Sequence, residues 1–356
     1  ICEEEPGPVT ALIAQFIEEL DGSSAGAVEG GLYALAVPHR SRGVEDDDEV
    51  AAGLGEGGEG ARALEEGARE PQREERDRAG AKEEQQLLAP GSALWEQFGD
   101  EERSEAQRRA DQIDADCSAH GVEVICCRDA SFPAALRTIP EAPALVYVVG
   151  RLAALEERAV AVVGTRKASQ KGLEIAEHVG RSLTERGWAT VSGLALGIDA
   201  AAHVGCVKAG GTGVAVLGGG LDQITPKTNT ALARALLEGG GALLSEEPPG
   251  VVARGPQLVR RNRLQSGLAR ASLVIECSPK GGAASHAKFA TKQGRPLYAV
   301  IPSGSPADLD TSGAQHLART MNAVPVASME ELLAQLDGSA GGAAGATQST
   351  QVSLPF

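Results

Sequence analysis

The chain has 356 residues, six cysteines and a formal net charge of −16. Its length predicts two or three domains. Because no apolar run reaches the roughly 18–20 residues of a membrane-spanning helix, we predict a soluble protein without a membrane partner. Taken as a whole, so negative a chain would argue against a nucleic-acid partner.

The charge is distributed unevenly along the chain. Residues 1–158 carry 15 Lys and Arg against 35 Asp and Glu, whereas residues 159–330 carry 18 against 12. The last 26 residues have two acids and no base. The second part of the chain is therefore basic, and the overall charge does not exclude an anionic partner for it.

Composition divides the chain into five predicted regions. Residues 44–86 are charged, rich in glycine and nearly free of large apolar side chains, so they cannot bury enough surface to offset the entropy of ordering. The regions are a short helical segment with an amphipathic stretch at 9–20 (1–43), an acidic disordered linker (44–86), a lead-in of helices and strands (87–158), a core domain (159–337) and a flexible tail (338–356).

The core region alternates apolar runs with helical patterns. Strands are predicted at 122–127, 144–150, 159–164, 188–193, 213–218, 242–246, 272–278, 297–302 and 323–328. Helices are predicted at 171–187, 198–209, 227–238, 258–269 and 284–293. Continuous apolar strands that alternate with helices predict an α/β fold, a Rossmann-like doubly wound and mostly parallel sheet. Such a sheet binds its ligand at the carboxyl ends of its strands.

Glycines, hydroxyl groups and cations follow the predicted strands. Glycine lets a backbone approach a ligand closely, helix N-termini bind anions, and Arg and Lys add charge-assisted bonds to phosphate oxygens. We therefore predict a phosphate-binding edge. Its candidate residues are Gly164, Thr165, Arg166, Lys167, Ser192, Gly193, Gly218, Lys227, Asn229, Arg260, Arg261, Arg263 and Lys280.

Several other kinds of site are not supported by the residues. The stretch AVVGTRKASQKG (161–172) lacks both the glycine triplet of a dinucleotide site and the GK[ST] of a P-loop. No G-x-S-x-G supports a hydrolase elbow, and no Cys/His cluster supports a metal. Asp199 is interpreted as a helix cap and His203 as a packed side chain, so we predict no catalytic residue and no cofactor.

The cysteines are predicted to be reduced thiols that pack as small apolar groups, which indicates a cytoplasmic protein. Cys126 and Cys127 are adjacent in a strand-like run. Because successive side chains of a strand alternate, we expect these two to point to opposite faces.

Four ordered motifs carry a resemblance to a known family. The stretches are SGLALGIDAAAH (192–203), AVLGGGLDQITPKTN (215–229), LLSEEPPG (243–250) and RRNRLQSGLA (260–269). Together they resemble the DNA-processing protein A (DprA/Smf) family, over about residues 105–330. The resemblance implies an extended Rossmann-like fold, single-stranded DNA binding, a homodimer and the loading of a RecA-type recombinase during transformation, without catalysis.

The resemblance also assigns roles to individual residues. It implies that Arg166 and Lys227 contact DNA, and it matches Arg260, Arg261 and Arg263 to the family's RNR segment. An alternative for these three arginines is that they brace the domain.

The chain departs from the family pattern at several positions. Leu196 replaces an arginine, Thr225 replaces a tyrosine, Leu258-Val259 replace an aromatic residue and proline, and the loop at 281–284 differs. Each base–aromatic stack that is lost is worth roughly 1–3 kcal/mol. Two alternatives to DNA binding therefore stay open: a nucleotide-binding or nucleotide-cleaving enzyme of the related LOG-type fold, and a degenerate scaffold that does not bind DNA.

Overall fold

The structure is a computed structural model that describes residues 100–279, 281–303 and 308–338. The sheet and the candidate site belong to the unit that begins at Gln112. The predicted helix at 9–20, the linker at 44–86, Lys280 and nearly all of the predicted tail lie outside the described residues.

The strands follow the predicted order, and each is shorter than predicted by one to three residues. They are β1 (Glu123–Cys126), β2 (Leu145–Gly150), β3 (Ala159–Val163), β4 (Ala189–Ser192), β5 (Gly213–Leu217), β6 (Ala242–Ser245), β7 (Ala271–Val274), β8 (Leu297–Val300) and β9 (Val324–Val326).

The helices include three that the sequence interpretation omitted, at Ala134–Arg137, Ser312–Thr320 and Met329–Gly338. They are α1 (Asp100–His120), α2 (Ala134–Arg137), α3 (Gln170–Glu185), α4 (Ile198–Lys208), α5 (Thr230–Glu238), α6 (Gly255–Arg260), α7 (Asn262–Leu268), α8 (Gly282–Lys292), α9 (Ser312–Thr320) and α10 (Met329–Gly338). Short 3₁₀ turns lie at Leu152–Leu155 and Lys227–Asn229.

One sheet joins the strands in the order β1-β2-β6-β5-β4-β3-β7-β8-β9. From β6 through β9 all neighbours are parallel, whereas β2 pairs antiparallel with β6 and β1 antiparallel with β2. The predicted α/β, Rossmann-like and mostly parallel fold is confirmed. The chain runs outward from β3 to β6 and then returns to the other side of β3 as β7, so the strand order reverses between β3 and β7. Ligands of doubly wound sheets bind at this position.

Both faces of the parallel sheet are covered, which explains the continuous apolar runs. Val160 and Val162 of β3 pack with Ile175 of α3 on one face. Ala159 and Ala161, which alternate with them, belong to the core cluster on the other face, together with residues of α7.

Two predicted helices are each divided in two. The region predicted as 227–238 is a 3₁₀ turn followed by α5, and the region predicted as 258–269 is α6 followed by α7. The second division falls at Arg261, whose backbone N–H still bonds to the carbonyl of Gln257 at 2.9 Å. Among the helices of the described ranges, none has the length and apolar character needed to cross a membrane.

Candidate phosphate-binding site

A cleft of about 460 Å³ opens where β3 and β7 end. This volume is typical of sites that hold small ligands or parts of larger ones. The loop after β3, the starts of α4 and α8, and the helices α6 and α7 line it. Of the predicted site residues, the cleft brings together Gly164, Thr165, Arg166, Lys167 and Arg261.

Glu276, which follows β7, anchors the loop after β3 through hydrogen bonds. The backbone N–H of Thr165 donates to the Glu276 carbonyl at 2.6 Å. The Glu276 carboxylate accepts from both the backbone N–H (3.0 Å) and the hydroxyl (2.9 Å) of Ser169, which caps α3. Arg166 and Lys167 are exposed. The contacts with Glu276 therefore hold these two cations on an anchored loop. The sequence interpretation missed Glu276, although an acid inside the apolar run 272–278 was a signal for it.

Gly197 lets the loops after β3 and β4 touch. It has φ of 80°, and a β-carbon there would overlap the carbonyls of Thr165 and Arg166. The next residue, Ile198, donates its backbone N–H to the Thr165 carbonyl at 3.3 Å. A larger residue at position 197 would push these two loops apart.

Three predicted site residues organise the loop after β4 from within. Ser192 is fully buried and donates its hydroxyl to the Val162 carbonyl at 2.6 Å. The buried side chain of Asn229 donates to the Leu194 carbonyl at 2.8 Å. Gly193, also buried, donates its N–H to the Asp199 carboxylate at 3.1 Å. The side chains of Ser192 and Asn229 are thus directed into the protein, and so is the backbone N–H of Gly193.

The prediction that Asp199 caps its helix is wrong, because Gly197 is the N-cap of α4 without a side-chain cap hydrogen bond and Asp199 lies in the first turn. Its carboxylate accepts from the backbone of Gly193 and Ala195. Burial raises its pKa, and the nearby Arg261 guanidinium opposes that rise. The carboxylate is therefore committed to its own loop and to Arg261.

Arg261 places a positive charge in the wall of the cleft. Its side chain is only 8% exposed, and its Nη2 lies 4.0 Å from an Asp199 carboxylate oxygen. Its Nη1 donates to the Val216 carbonyl. Burial lowers the pKa of Arg261, and the positive charge of Arg166 lowers it further, which indicates that the two guanidiniums act on one another. An anion in the cleft would relieve this repulsion.

Two buried histidines are held neutral near this arginine. Burial lowers the pKa of His203 and of His286 to about 3, and Arg261 adds to the effect in both cases. His286 lines the cleft and accepts or donates a hydrogen bond with the Ser272 hydroxyl at 2.9 Å. Neither imidazole adds charge to the site near neutral pH.

Arg260 and Arg263 meet at one carboxylate outside the cleft. The Arg263 side chain is 3% exposed, and its Nη2 lies 2.6 Å from Glu246 Oε1. Its Nε donates to the Glu141 carbonyl at 2.9 Å. Arg260 reaches the same Glu246 oxygen at 3.0 Å but is 46% exposed. These contacts favour the bracing alternative for Arg263 and leave Arg260 accessible.

The remaining candidates lie along the same edge of the sheet but outside the cleft lining. Lys227 is exposed in the 3₁₀ turn after β5. Gly218, at the end of β5, is buried against Leu258. Leu196, at the family's arginine position, is 48% exposed.

The described part of the chain holds no cluster of three or more His, Cys, Asp or Glu residues suited to a metal. His203 has no exposed surface, and neither of its ring nitrogens has a hydrogen-bond partner. It does not line the cleft. The arrangement therefore offers cations and backbone groups to an anion, and it does not pair Asp199 with His203 as an acid and a base at the cleft.

Residues 123–337 match the family described as DNA recombination-mediator protein A. The Smf protein of Escherichia coli is 37% identical over 206 residues, which are 58% of this chain and 54% of that protein. The DprA protein of Bacillus subtilis is 33% identical over 202 residues, or 55% of this chain and 68% of that protein. The chain spans about half the length of the Smf proteins of E. coli and Synechocystis.

Solved structures agree with these similarities. The X-ray structure of DprA from Streptococcus pneumoniae superposes with a TM-score of 0.57 at 34% identity, over 65% of this chain and 81% of that one. DNA processing protein A from Helicobacter pylori, a structure described for its single-stranded DNA binding mode, gives a TM-score of 0.54 at 23% identity, over 61% of this chain and 96% of that one. The second likeness shows the shared fold.

Proposed function

Because the chain belongs to the DNA recombination-mediator protein A family, we propose that it binds single-stranded DNA along the carboxyl edge of its parallel sheet and mediates recombination. The observation that carries the proposal is the anchored loop after β3, which presents Arg166 and Lys167 beside the cleft. Lys227 extends the line of exposed cations along the same edge. When Lys and Arg side chains neutralise DNA phosphates, the counterions of the DNA are released, and this release supplies the affinity.

A single strand suits this cleft better than a duplex does. The cleft lies between loops that approach one another closely at Gly197. Double-stranded DNA is stiff over about 150 base pairs, whereas a single strand bends at each nucleotide and exposes its phosphates and bases. The H. pylori protein of the same fold is described as binding single-stranded DNA, which supports this choice of substrate.

The proposed partner, oligomeric form and location rest on the family to which the chain belongs. We propose a RecA-type recombinase as the partner that receives the DNA, a homodimer as the working form and the cytoplasm as its location.

We propose no catalysis and no cofactor. Asp199 is engaged by two backbone amides and lies beside Arg261, and His203 is enclosed in the core. The departures at Leu196 and Thr225 are expected to weaken DNA binding rather than abolish it, because Arg166, Lys167 and Lys227 are retained.

The test is a fluorescence anisotropy titration of the full chain with one oligonucleotide sequence, single-stranded and as a duplex. At a salt concentration of about 50 mM the single strand should bind more tightly, and its affinity should fall steeply towards about 200 mM. A chain that binds neither form at low salt would be the degenerate scaffold. Release of free base from a nucleotide would instead identify the enzyme alternative.

A further inference from the structure

The cleft where β3 and β7 end has an outer part and an inner part of different character. Arg166 and Lys167 line it with exposed side chains. Gln265 and His286 line it as well, but each is only 1% exposed. The phosphate contacts proposed above use the outer cations and leave the inner polar side chains without a role.

The helices α7 and α8 bring the inner side chains together. Gln265 lies one turn after Arg261, and its backbone N–H bonds to the Arg261 carbonyl at 3.3 Å, so the two share a helix face. Gly282 and His286 are also four residues apart, on α8. The Asn262 side chain joins the two helices by donating to the Gly282 carbonyl at 3.2 Å. Because all five residues line the cleft, both helix faces border one space.

Three buried polar atoms of this inner part have no hydrogen-bond partner among the residues that the structure describes. They are Arg261 Nε, Gln265 Nε2 and His286 Nδ1. Most buried polar atoms of native proteins are paired, and an unpaired one costs free energy. Since the arginine and glutamine atoms can only donate hydrogen bonds, a ligand that fills the cleft should present acceptor atoms to them.

The side walls of the cleft favour a flat ring. Apolar side chains contribute to the lining from β3, α6 and α8, namely Val163, Leu258, Val259 and Ala283. Aliphatic groups of this kind pack against the faces of a ring, while its edge stays available for hydrogen bonds. The volume of about 460 Å³ is in the range of sites for small ligands.

The outer part is suited to a phosphate. The N-cap of α8, Gly281, provides no side-chain hydrogen bond to the helix start. A β-carbon at Gly282 would meet open space, so a ligand can approach the backbone closely there. The start of this 11-residue helix and the cations Arg166 and Lys167 border the same cleft. Helix N-termini and cationic side chains together bind phosphate oxygens.

We propose that the cleft binds a free nucleoside monophosphate whose base carries carbonyl oxygens. The phosphate contacts Arg166, Lys167 and the start of α8, and the base accepts hydrogen bonds from Arg261 and Gln265. One such molecule combines the charged end, the flat ring and the acceptor atoms that the lining requires. It also occupies the cations of the proposed DNA site, so it competes with single-stranded DNA. This competition rests on the proposed function, whereas nucleotide binding itself does not.

The experiment titrates the full chain with thymidine monophosphate by isothermal calorimetry. Thymine carries carbonyl oxygens and adenine does not, so deoxyadenosine monophosphate should bind at least about tenfold more weakly. Thymidine without a phosphate and inorganic phosphate alone should each bind more weakly than thymidine monophosphate by at least about the same factor. No binding of thymidine monophosphate, or equal binding of the two nucleotides, would overturn the proposal. So would inorganic phosphate that binds as tightly as the nucleotide, because the cleft would then recognise only an anion.

Gln265→Leu tests the inner part directly. It removes a buried amide whose nitrogen has no partner, so the ligand-free variant should melt at or above the wild-type temperature. Its affinity for thymidine monophosphate should fall by about tenfold. Gln315→Leu, at an exposed position on α9, is the matched control and should keep the wild-type affinity. A folded Gln265→Leu with wild-type affinity would refute the proposal. The comparison of the two nucleotides in the wild-type chain decides the question if the variant does not fold.

A competition measurement separates this proposal from the proposed function. Thymidine monophosphate should displace a fluorescently labelled single-stranded oligonucleotide from the full chain, at the concentrations that saturate the calorimetric titration. A chain that binds the oligonucleotide but not the nucleotide would refute the nucleotide site and leave DNA binding intact. A chain that binds the nucleotide but not the oligonucleotide would do the reverse. A nucleotide that binds without displacing the oligonucleotide would lie outside the cleft, and the proposal would be wrong.

Discussion

The guanidinium of Arg261 occupies the space beside Gly193 that any side chain at position 193 would need. Gly193 begins the loop after β4, and Arg261 lies between α6 and α7. Arg261 also donates to the Val216 carbonyl and faces Asp199. The absence of a side chain at position 193 therefore allows a buried cation to reach both of its partners.

Gly193→Ala is expected to lower the free energy of unfolding by about 3 kcal/mol or more, because it displaces Arg261 from its partners and leaves buried charges uncompensated. Chemical denaturation of the full chain measures the change. Gly282→Ala is the matched control, since a β-carbon there meets open space. Equal stability of the two variants would show that Arg261 finds another position at little cost.

The two buried histidines predict a pH dependence. Their folded-state pKa of about 3 lies below the ordinary value of 6.5, so the unfolded chain binds protons first. Their stabilising contribution is complete above pH 6.5 and is lost as the pH falls towards 3. Between pH 6.5 and 3, each histidine should add up to about 1.4 kcal/mol per pH unit to the slope of the free energy of unfolding against pH. The pKa of Asp199 is raised by burial, so this carboxyl group changes the free energy of unfolding with pH in the opposite direction.

His203→Leu isolates one of these contributions. Neither ring nitrogen of His203 has a hydrogen-bond partner, so the replacement removes a titrating group without breaking a bond. The slope of unfolding free energy against pH between about 4.5 and 6 should fall by about 1.4 kcal/mol per unit. His178→Leu, at an exposed position on α3, is the matched control for the replacement of a histidine by leucine. A His203→Leu slope equal to that of wild type would mean that His203 takes up its proton at the same pH in the folded and the unfolded chain.

The sheet could be predicted from the sequence because its strands are buried on both faces. Runs such as AVAVV (159–163) are apolar without alternation, which distinguishes them from the helical segments between them. The exposed cations at the strand ends, Arg166 and Lys227, could be predicted for the same reason, since a strand end fixes where a loop begins.

Which of the arginines at 260, 261 and 263 are buried and which is exposed could not be predicted in this way. Their exposure depends on a break between α6 and α7 and on partners far along the chain, Glu141 and Glu246. A basic run has no periodicity that shows which side chain turns inward. Ser192 and Asn229 illustrate the same point, because a polar residue at a strand end can face a ligand or a neighbouring loop with equal local propensity.

Arg263→Ala and Arg260→Ala should therefore differ sharply in stability. Removing Arg263 leaves Glu246 nearly buried without its closest partner and should cost about 3–5 kcal/mol. Arg260 is half exposed, so its loss should cost less than about 1 kcal/mol. Thermal melts of both variants make the comparison. A larger loss for Arg260→Ala would reverse the assigned roles.

Arg166→Ala and Lys227→Ala should weaken single-stranded DNA binding while the melting temperature stays near that of wild type. Both side chains are exposed, so neither holds the core. Each loss should reduce the magnitude of the salt slope by about 0.7, the single-strand increment for one phosphate. Arg319→Ala, at an exposed position on α9, is the control. If either variant unfolds, its side chain has a structural role and does not report on DNA.

Leu196 provides the most direct test of the proposed DNA-binding edge. It lies one residue before Gly197, in the loop that touches Thr165, and it is 48% exposed. Because this side chain faces solvent, Leu196→Arg should fold normally and add a cation beside Arg166. Single-stranded DNA should then bind more tightly, with a salt slope steeper by about 0.7. Val324→Arg, which adds the same charge at an exposed position at the start of β9, controls for the change in net charge. If both variants tighten binding equally, the gain comes from net charge alone. If Leu196→Arg leaves the slope unchanged in a stable protein, the phosphate path does not pass the loop after β4, and the binding edge would have to be assigned to the loops after β3 and β5 without it.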